Sequence, residues 1–543
     1  MAEGYRRVDR DQPFLRPPDM REWLPADHPV WLVIRVVGEH LDTPVFHAAR
    51  RTGGAGTAGY DPDMLVALLM WAYANGVTSS RRTGAACWPD GAFRVICAGD
   101  APGHVTIARF RAAFPGPVRD LFTGVLVLCA KLGMGKLGTI ALGSTKITAG
   151  ASRAADRGEE TLRRLAAEEA ARAAAADAAA GAAGGERPGD EVPPEAVNPA
   201  ARAARIAAAL AELEAERAAE QEAQQAQRAQ RLGAAAARTP VTGRPPAAAR
   251  VALAAQRAAR AEAAQRARVA GWQQRNAGRK AAGQRPLPGP GPRPAERCAR
   301  VQAARAALAK AQAAQEEAER KAADEPAPVR NITGVDSRLM PVRGGAFIQG
   351  CNAQNVTSGD GLIIAGELTN DTSDGPWFEP MLTAACDAAA LITTHQPQPA
   401  TSPGDQGSGI GQVLAGTGYC SAHHLTRAGP DRLIATSKHR TLQKTARQAA
   451  ASPASGQDAP DGPIAAMTAR LATPEGIAAH RQRSHIAGTP HGQIKHNMRF
   501  RQLSMRGKPK AAAEWTFTAT VHNLLKAITT GHLTSQALAR LAS

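Results

Sequence analysis

The stretch "LGTIALGSTKITAGAS", Leu137–Ser152, decides the fold. Its first half reads as a short apolar strand, and the strand opens into a small polar turn that carries Lys146. A lone strand cannot pair its own backbone groups or cover both of its faces. Its partners must therefore come from later in the chain. "GAFIQGCNAQNVTS" (345–358) and "GLIIAGELTND" (361–371) read as two strands joined near "SGDG". "IGQVLAGTGYC" (410–420) and "DRLIATSK" (431–438) are two further strand candidates. "EPMLTAACDAAALI" (379–392) and the closing "AEWTFTATVHNLLKAITTGHL" (513–533) are helical in pattern. The expectation is a mixed α/β domain with a large insertion after its first strand.

That insertion, residues 153–325, is dominated by Ala, Arg, Glu and Gln, all strong helix formers. "GGERPGDEVPPEAVNP", "RTPVTGRPP" and "GQRPLPGPGPRP" cut it into four arms. In "AARIAAALAELEAERAAE", Ile206, Leu210 and Leu213 recur at helical spacing and supply a thin apolar seam. Large apolar residues are otherwise scarce there, so the reading is long helices, partly packed as hairpins and partly disordered. Residues 1–130 form a helical N-terminal domain: "DPDMLVALLMWAYANG" starts with Asp61 as N-cap and Pro62 at the first helical position and stops near Gly76. "GHVTIARFRAAFPGPVRDLFTGVLVLCAKLG" gives two more helices, broken at Pro115 and Pro117.

At 543 residues the chain has room for two to four domains, and its net charge of +18 favours a polyanionic partner, above all nucleic acid. From Lys438 onward there are 15 Lys/Arg against 4 Asp/Glu. Lys146, Lys438, Arg440, Arg483, Lys495 and Arg499 are the candidate phosphate contacts, with Arg109 and Arg111 on an N-terminal helix. The seven cysteines are scattered without a C-x-x-C pair, which suits a reducing cytoplasm and offers neither a zinc framework nor a disulfide scaffold. His480, His485, His491 and His496 lack a cysteine partner and read as imidazoles near DNA rather than zinc ligands. The N-terminus is charged and has no apolar signal core, and the most apolar segments are too short to span a bilayer. A cytoplasmic protein with no membrane partner is the expectation.

One ordered set of motifs is more specific. "GYDPDMLVALLMWAYANGVTSSR", "HVTIARFR", "NITGVDSRLMPVRGG", "IQGCNAQ", "LTNDTSDGPWFEPML", "GPDRLIATSKHR", "LATPEGIAAHRQR", "GQIKHNMRFRQLSMRG" and "AEWTFTATVHNLLK" together resemble the insertion-sequence DDE transposases. The resemblance covers most of the chain outside the low-complexity arms. It implies an RNase H-like core, a mixed sheet flanked by helices, in residues 137–152 and 331–530. It implies a bacterial, nucleoid-associated protein that binds terminal inverted repeats and target DNA and acts as a homodimer on paired ends, although the sequence shows no interface. It also implies three carboxylates that hold divalent metal, usually Mg²⁺, for strand cleavage and transfer.

At those three acid positions this chain has glycine. "LGSTK" has Gly143 and keeps Lys146; "LAGTGYC" has Gly416 and keeps Gly418 and Tyr419; "IAGTPHGQIK" has Gly488 and keeps Gly492–Lys495. A fourth acid common in the family is Ala422 here. Glycine has no ligand atom, so the side chains named for this copy hold no metal and the reading is a catalytically defective transposase. The alternative is a non-cleaving DNA-binding protein derived from one. Asp371 and Asp374 in "TNDTSD" are the acids that could substitute, set against a role as helix N-caps. Asp336 and Arg338 read as a structural ion pair or turn.

Overall fold

Strand β1 (Thr139–Thr148) is the middle of a six-stranded mixed sheet. Ile140–Gly143 are buried, as the continuous apolar run requires of a strand covered on both faces. The chain then passes through β2 (Asp156–Gly158), the insertion and β3 (Val329–Asn331), and returns as β4 (Arg338–Pro341), β5 (Phe347–Thr357), β6 (Ile363–Thr369), β7 (Gln412–Ala415) and β8 (Asp431–Ile434). β5 lies antiparallel to β1, with Ala141 opposite Thr357 and Thr148 opposite Gly350. The other edge of β5 pairs with β4 along its first half and with β6 along its second, both antiparallel. On the far side of β1, β7 and then β8 run parallel to it. β4 ends at Pro341 on the sheet edge, where a residue without an N–H costs no ladder bond.

This computed structural model describes residues 19–48, 59–113, 115–180, 199–237, 247–324, 329–342, 344–397, 409–437, 441–442 and 462–542. They form two compact units, 1–155 with 333–543, and 156–332. In the first, seven helices precede the sheet: α1 (Pro29–His40), α2 (Pro44–Ala48), α3 (Pro62–Ala74), α4 (Ser80–Ala86), α5 (Gly91–Ile96), α6 (His104–Ala112) and α7 (Val118–Lys131). Asp61 caps α3 by accepting the Asp63 N–H at 2.8 Å. The second unit holds α8 (Glu159–Ala180), α9 (Pro199–Ala237), α10 (Ala247–Ala281) and α11 (Ala299–Asp324), one helix for each arm between the breakers. α8 packs on α9 and α10 on α11, and β2 pairs with β3. Ile206 and Leu213 are buried but Leu210 is only half-buried; Ala209 takes the inner position. Cross-helix ion pairs such as Arg305 to Glu262 (2.6 Å) accompany that thin seam.

After β6 come α12 (Phe378–His395), α13 (Ala422–Thr426), α14 (Pro463–Ala472), α15 (Pro474–Gly492), α16 (Lys508–Thr529) and α17 (Ser535–Ala542). α12 packs on β5, β6 and α7, α16 on β6, α7 and α3, and α15 on β1. The main core therefore runs without a break from the N-terminal helices into the sheet, and the expected N-terminal domain shares one compact unit with it. A second difference concerns the opening stretch. The polar turn expected at Lys146 is absent: β1 continues through it to Thr148, because β5 supplies a ladder partner for every residue from Ala141 to Thr148. No described helix is long and apolar enough to cross a membrane.

Candidate functional site

β7 pairs with β1 only over Thr139–Ala141, and it ends at Ala415. β1 runs on, so no named strand covers this edge beyond Ala141, at the carboxyl ends of two parallel strands, although Gln502 bridges it at Thr148. Crevices of open α/β sheets bind their ligands at such a place. α15 crosses this opening, and between them lies a cavity of about 450 Å³. Gly143 from β1, Gly416 from the end of β7 and Gly488 from α15 all line it, with Asp374, Tyr419, Arg483 and His491. A wider cavity of about 1010 Å³ adjoins, sharing Ser144, Ser484, Gly488 and His491 and adding Lys146, His485 and Lys495.

The three glycines are not equivalent. A Cβ on Gly143 would lie 2.9 Å from the Ala487 Cβ, so α15 sits on β1 as closely as it does because that position has no side chain. A Cβ on Gly416 would meet the Arg483 Nη1 at an ordinary 3.4 Å, and its extended backbone accepts any residue. A Cβ on Gly488 would meet nothing within 4 Å.

Among the described residues Asp374 is the one carboxylate on the cavity wall. It accepts hydrogen bonds from Asn352 Nδ2 (2.8 Å) and Gln354 Nε2 (3.0 Å), two amides on β5, and forms an ion pair with Lys146 Nζ at 3.7 Å. Lys146 also donates to the Thr372 carbonyl at 3.1 Å. Lys495 donates to the Lys146 carbonyl at 2.8 Å. Burial pushes the Lys146 ammonium below its ordinary range, against the pull of Asp374, and burial with Arg501 nearby does the same to Lys495. Tyr419 donates its hydroxyl to Gln354, and burial pushes its pKa up. His491 is buried against Trp515, with ring centroids 6.4 Å apart; desolvation, then Lys495 and His522, lower its pKa to about 4. Its Nε2 is buried with no hydrogen-bond partner.

The sequence-derived candidates separate on this frame. Lys146, Arg483 and Lys495 gather at the paired cavities. Arg109 and Arg499 are exposed and line neither of them. Lys438 and Arg440 lie outside the described residues. Arg111 needs correcting as a phosphate contact: it is 5 % exposed and pairs with Glu514 at 3.0 Å, a partner 403 residues away in sequence. Asp371 is exposed and accepts from the Trp377 indole at 2.5 Å, away from the cavity. The N-cap role for Asp374 also needs correcting, since its carboxylate caps nothing and turns to β5 and Lys146 instead. Asp336 accepts from the Lys508 N–H (2.7 Å) at the start of α16, and Arg338 folds back on the Val335 carbonyl (2.7 Å), a turn. Sequence reasoning missed the amides Asn352 and Gln354. Their signal was the polar alternation of "CNAQNVT" inside an otherwise buried strand.

A divalent cation of the sort implied by the resemblance needs several anionic oxygens around it. The cavity wall offers one carboxylate, already held by two amides and Lys146, and faces it with Arg483. The described residues of the cavity do not fit a metal. Among the described residues the one group of three or more His, Cys, Asp or Glu with mutually close ligand atoms is His47, Asp61 and Asp63, in the N-terminal helices.

Residues 18–113 match a family described as "Transposase domain (DUF772)", and residues 441–528 match one described as "Transposase DDE domain". No curated protein matches the chain, and no solved structure does.

Proposed function

The chain belongs to the insertion-sequence DDE transposases, and from that premise we propose that it engages the terminal inverted repeats of its element but has lost the ability to cut them. The family acts on DNA, and its active members require a divalent metal. The sheet order β6-β5-β1-β7-β8, antiparallel through β1 and parallel beyond it, supports an RNase H-like core. One observation carries the loss of cleavage. The three positions read from sequence as acid sites meet on one cavity, and all three are glycine. Three residues from distant parts of the chain, at 143, 416 and 488, would converge there only by accident if their assignment were wrong.

What remains is a DNA-binding protein. The net charge of +18 and the basic segment from Lys438 onward supply sequence-independent affinity through phosphate neutralisation. Exposed Arg109 on α6 and Arg499 after α15 are available to DNA; Arg111 is not. The N-terminal helices, which carry the first family match, are the proposed reader of the element's end. The test is cleavage of a labelled duplex bearing that end, with Mg²⁺ or Mn²⁺. The wild-type chain runs beside the variant Gly143→Asp, Gly416→Asp, Gly488→Glu, made with Ala487→Gly to admit the first acid. Retarded migration of the duplex without cutting is the wild-type result expected. Nicking by the wild-type chain would overturn the reading.

A further inference from the structure

The insertion pairs its arginines where they hold helices together. Arg163 meets Glu159 (2.6 Å) and Glu214 (3.5 Å), Arg202 meets Glu169 (3.4 Å), and Arg305 of α11 meets Glu262 of α10 (2.6 Å). Helix α10 departs from that rule. It carries seven Arg and one Lys against Glu262 alone. Among the described residues, Arg257, Arg260, Arg268 and Arg275 are exposed and have no hydrogen-bond or ion-pair partner. Their spacing puts them in one row. Arg257 and Arg275 stand about five full turns apart, with Arg268 about 20° to one side of that line and Arg260 about 60° to the other. At 1.5 Å per residue the row is ~27 Å long. Its other positions are Ala264 and Gly271, which put nothing bulky between the guanidinium groups. Glu262 stands about 140° round the helix from Arg257 and is already bound to Arg305 and Arg266, so no acid interrupts the row. α10 packs by a different side. Ala258 and Gln265 are buried, Gln265 Nε2 donates to the Arg293 carbonyl (2.6 Å), and Asn276 Oδ1 accepts from the Leu287 N–H (2.9 Å).

Two features decide the partner. Along the axis, neighbouring arginines of the row are about 4.5, 12 and 10.5 Å apart. A small anion therefore meets two of them at most, whereas an extended polyanion meets all four. Duplex DNA carries one charge per about 1.7 Å of its axis, and ~27 Å is a small fraction of its ~500 Å persistence length, so it reaches the whole row without being ordered first. The residue type is the second feature. Arginine is always charged, and its planar fork matches phosphate oxygens in pairs. We propose that the row Arg257, Arg260, Arg268 and Arg275 on α10 is a docking surface for the phosphate backbone of duplex DNA, indifferent to base sequence. This rests on the reading that the chain engages DNA, and it adds a contact on the insertion, which lies outside both family matches. The insertion then grips duplex of any sequence, and the choice of the element's end is left to the N-terminal helices.

The full-length protein is titrated with a short random-sequence duplex and with the duplex bearing the element's end, each over a range of salt. The row variant carries Arg257→Gln, Arg260→Gln, Arg268→Gln and Arg275→Gln. A charge-matched variant carries Lys280→Gln, Arg285→Gln, Arg300→Gln and Lys310→Gln, four exposed cations of the same unit that lie off the row. Gln has nearly the helix propensity of Arg, and circular dichroism checks that the helices persist. The row variant should bind the random duplex at least about tenfold more weakly at about 0.1 M salt. Its slope of log affinity against log salt should be shallower by about 3–4, the value for four phosphate contacts. The charge-matched variant should change both by less than half as much. Equal losses in the two variants, or random-duplex binding untouched in the row variant, would overturn the proposal. Polyglutamate competing as well as duplex would overturn DNA as the occupant and leave a surface for an acidic protein. If the row variant loses nothing while the wild type still prefers the element's end, only this inference falls. If the wild type shows no preference for that end but holds random duplex through the row, the end-binding reading is what falls.

Discussion

Two ionic clusters sit in the same compact unit, and they are built in opposite ways. In the first, Glu514 on α16 accepts from the Tyr73 hydroxyl (2.7 Å), the Ser504 and Met505 N–H groups (both 2.9 Å) and Arg111 Nη2 (3.0 Å). Arg111 donates in turn to Ser80 (3.1 Å) and to Ser504 Oγ (2.5 Å). One cation meets one anion, and the pair is closed to solvent. In the second, Lys146, Arg483 and Lys495 line two adjoining cavities with Asp374, and the buried Nε2 of His491 has no hydrogen-bond partner. Balance and closure mark a group that holds helices together. The second cluster opens on its cavities, which the first does not. Arg111 and Arg483 look alike in the sequence, and the burial of Arg111 against Glu514 is not visible there.

The sharpest way to break this comparison is to open the closed cluster. Glu514→Ala strands a buried guanidinium, a loss of about 3–5 kcal/mol. Urea unfolding should show the midpoint falling steeply. Replacing Arg111 and Glu514 together by Met should recover most of the stability, because removing a whole buried pair is often close to neutral. A single Glu514→Ala costing under ~1 kcal/mol would mean that the two clusters differ less than their geometry says.

A pH titration compares the two environments next. His491 borders the open cluster, and His522 lies in the closed core beside the Gly361 carbonyl at 3.3 Å. Burial lowers both to about 4. Unfolded histidines take up protons below about 6.5 while the folded ones resist until about 4, so the unfolded state binds more protons in that window. Stability is therefore full above pH 6.5 or so and declines as the pH falls toward 4, by up to roughly 3 kcal/mol for each ring. Ring-proton NMR of the folded protein should find both rings titrating near 4. Titration of either ring near its ordinary value would remove burial as the cause.

Packing against β1 supplies a smaller effect. Gly143→Ala puts a methyl group 2.9 Å from the Ala487 Cβ, and overpacking of this order costs about 1–3 kcal/mol. Ala487→Gly should relieve it, and a double-mutant cycle of thermal midpoints measures the coupling. Additive effects would show that α15 can move away freely. The same contact means that a carboxylate restored at 143 alone would be squeezed before it could act.

Most of the architecture was legible because it follows from local composition. The four arms needed only helix formers between breakers, and the apolar runs at 140–142, 363–364 and 413–414 marked buried strands. The convergence of 143, 416 and 488 was legible through motif order. The continuation of β1 through Lys146 was not, since its polar residues are held as strand only by pairing with β5 some two hundred residues later. The burial of Arg111 was hidden for the same reason, because its acid lies on the last long helix. Nor could the pattern around Asp374 distinguish a helix cap from an ion pair, as both begin with an Asp at a turn.

The smallest expected change in stability belongs to Gly488→Glu. The residue lies inside α15 with open space before it, so the new side chain meets no neighbour at its Cβ. Replacing an interior helical glycine gains a few tenths of a kcal/mol in backbone entropy. A shift within about 0.5 kcal/mol, neutral or upward, should appear in the unfolding midpoint. Stability unmoved is what the open space at that Cβ predicts. A destabilisation beyond about 1 kcal/mol would instead give Gly488 a part in packing, and the open cluster would then owe its shape to the same closure as the other.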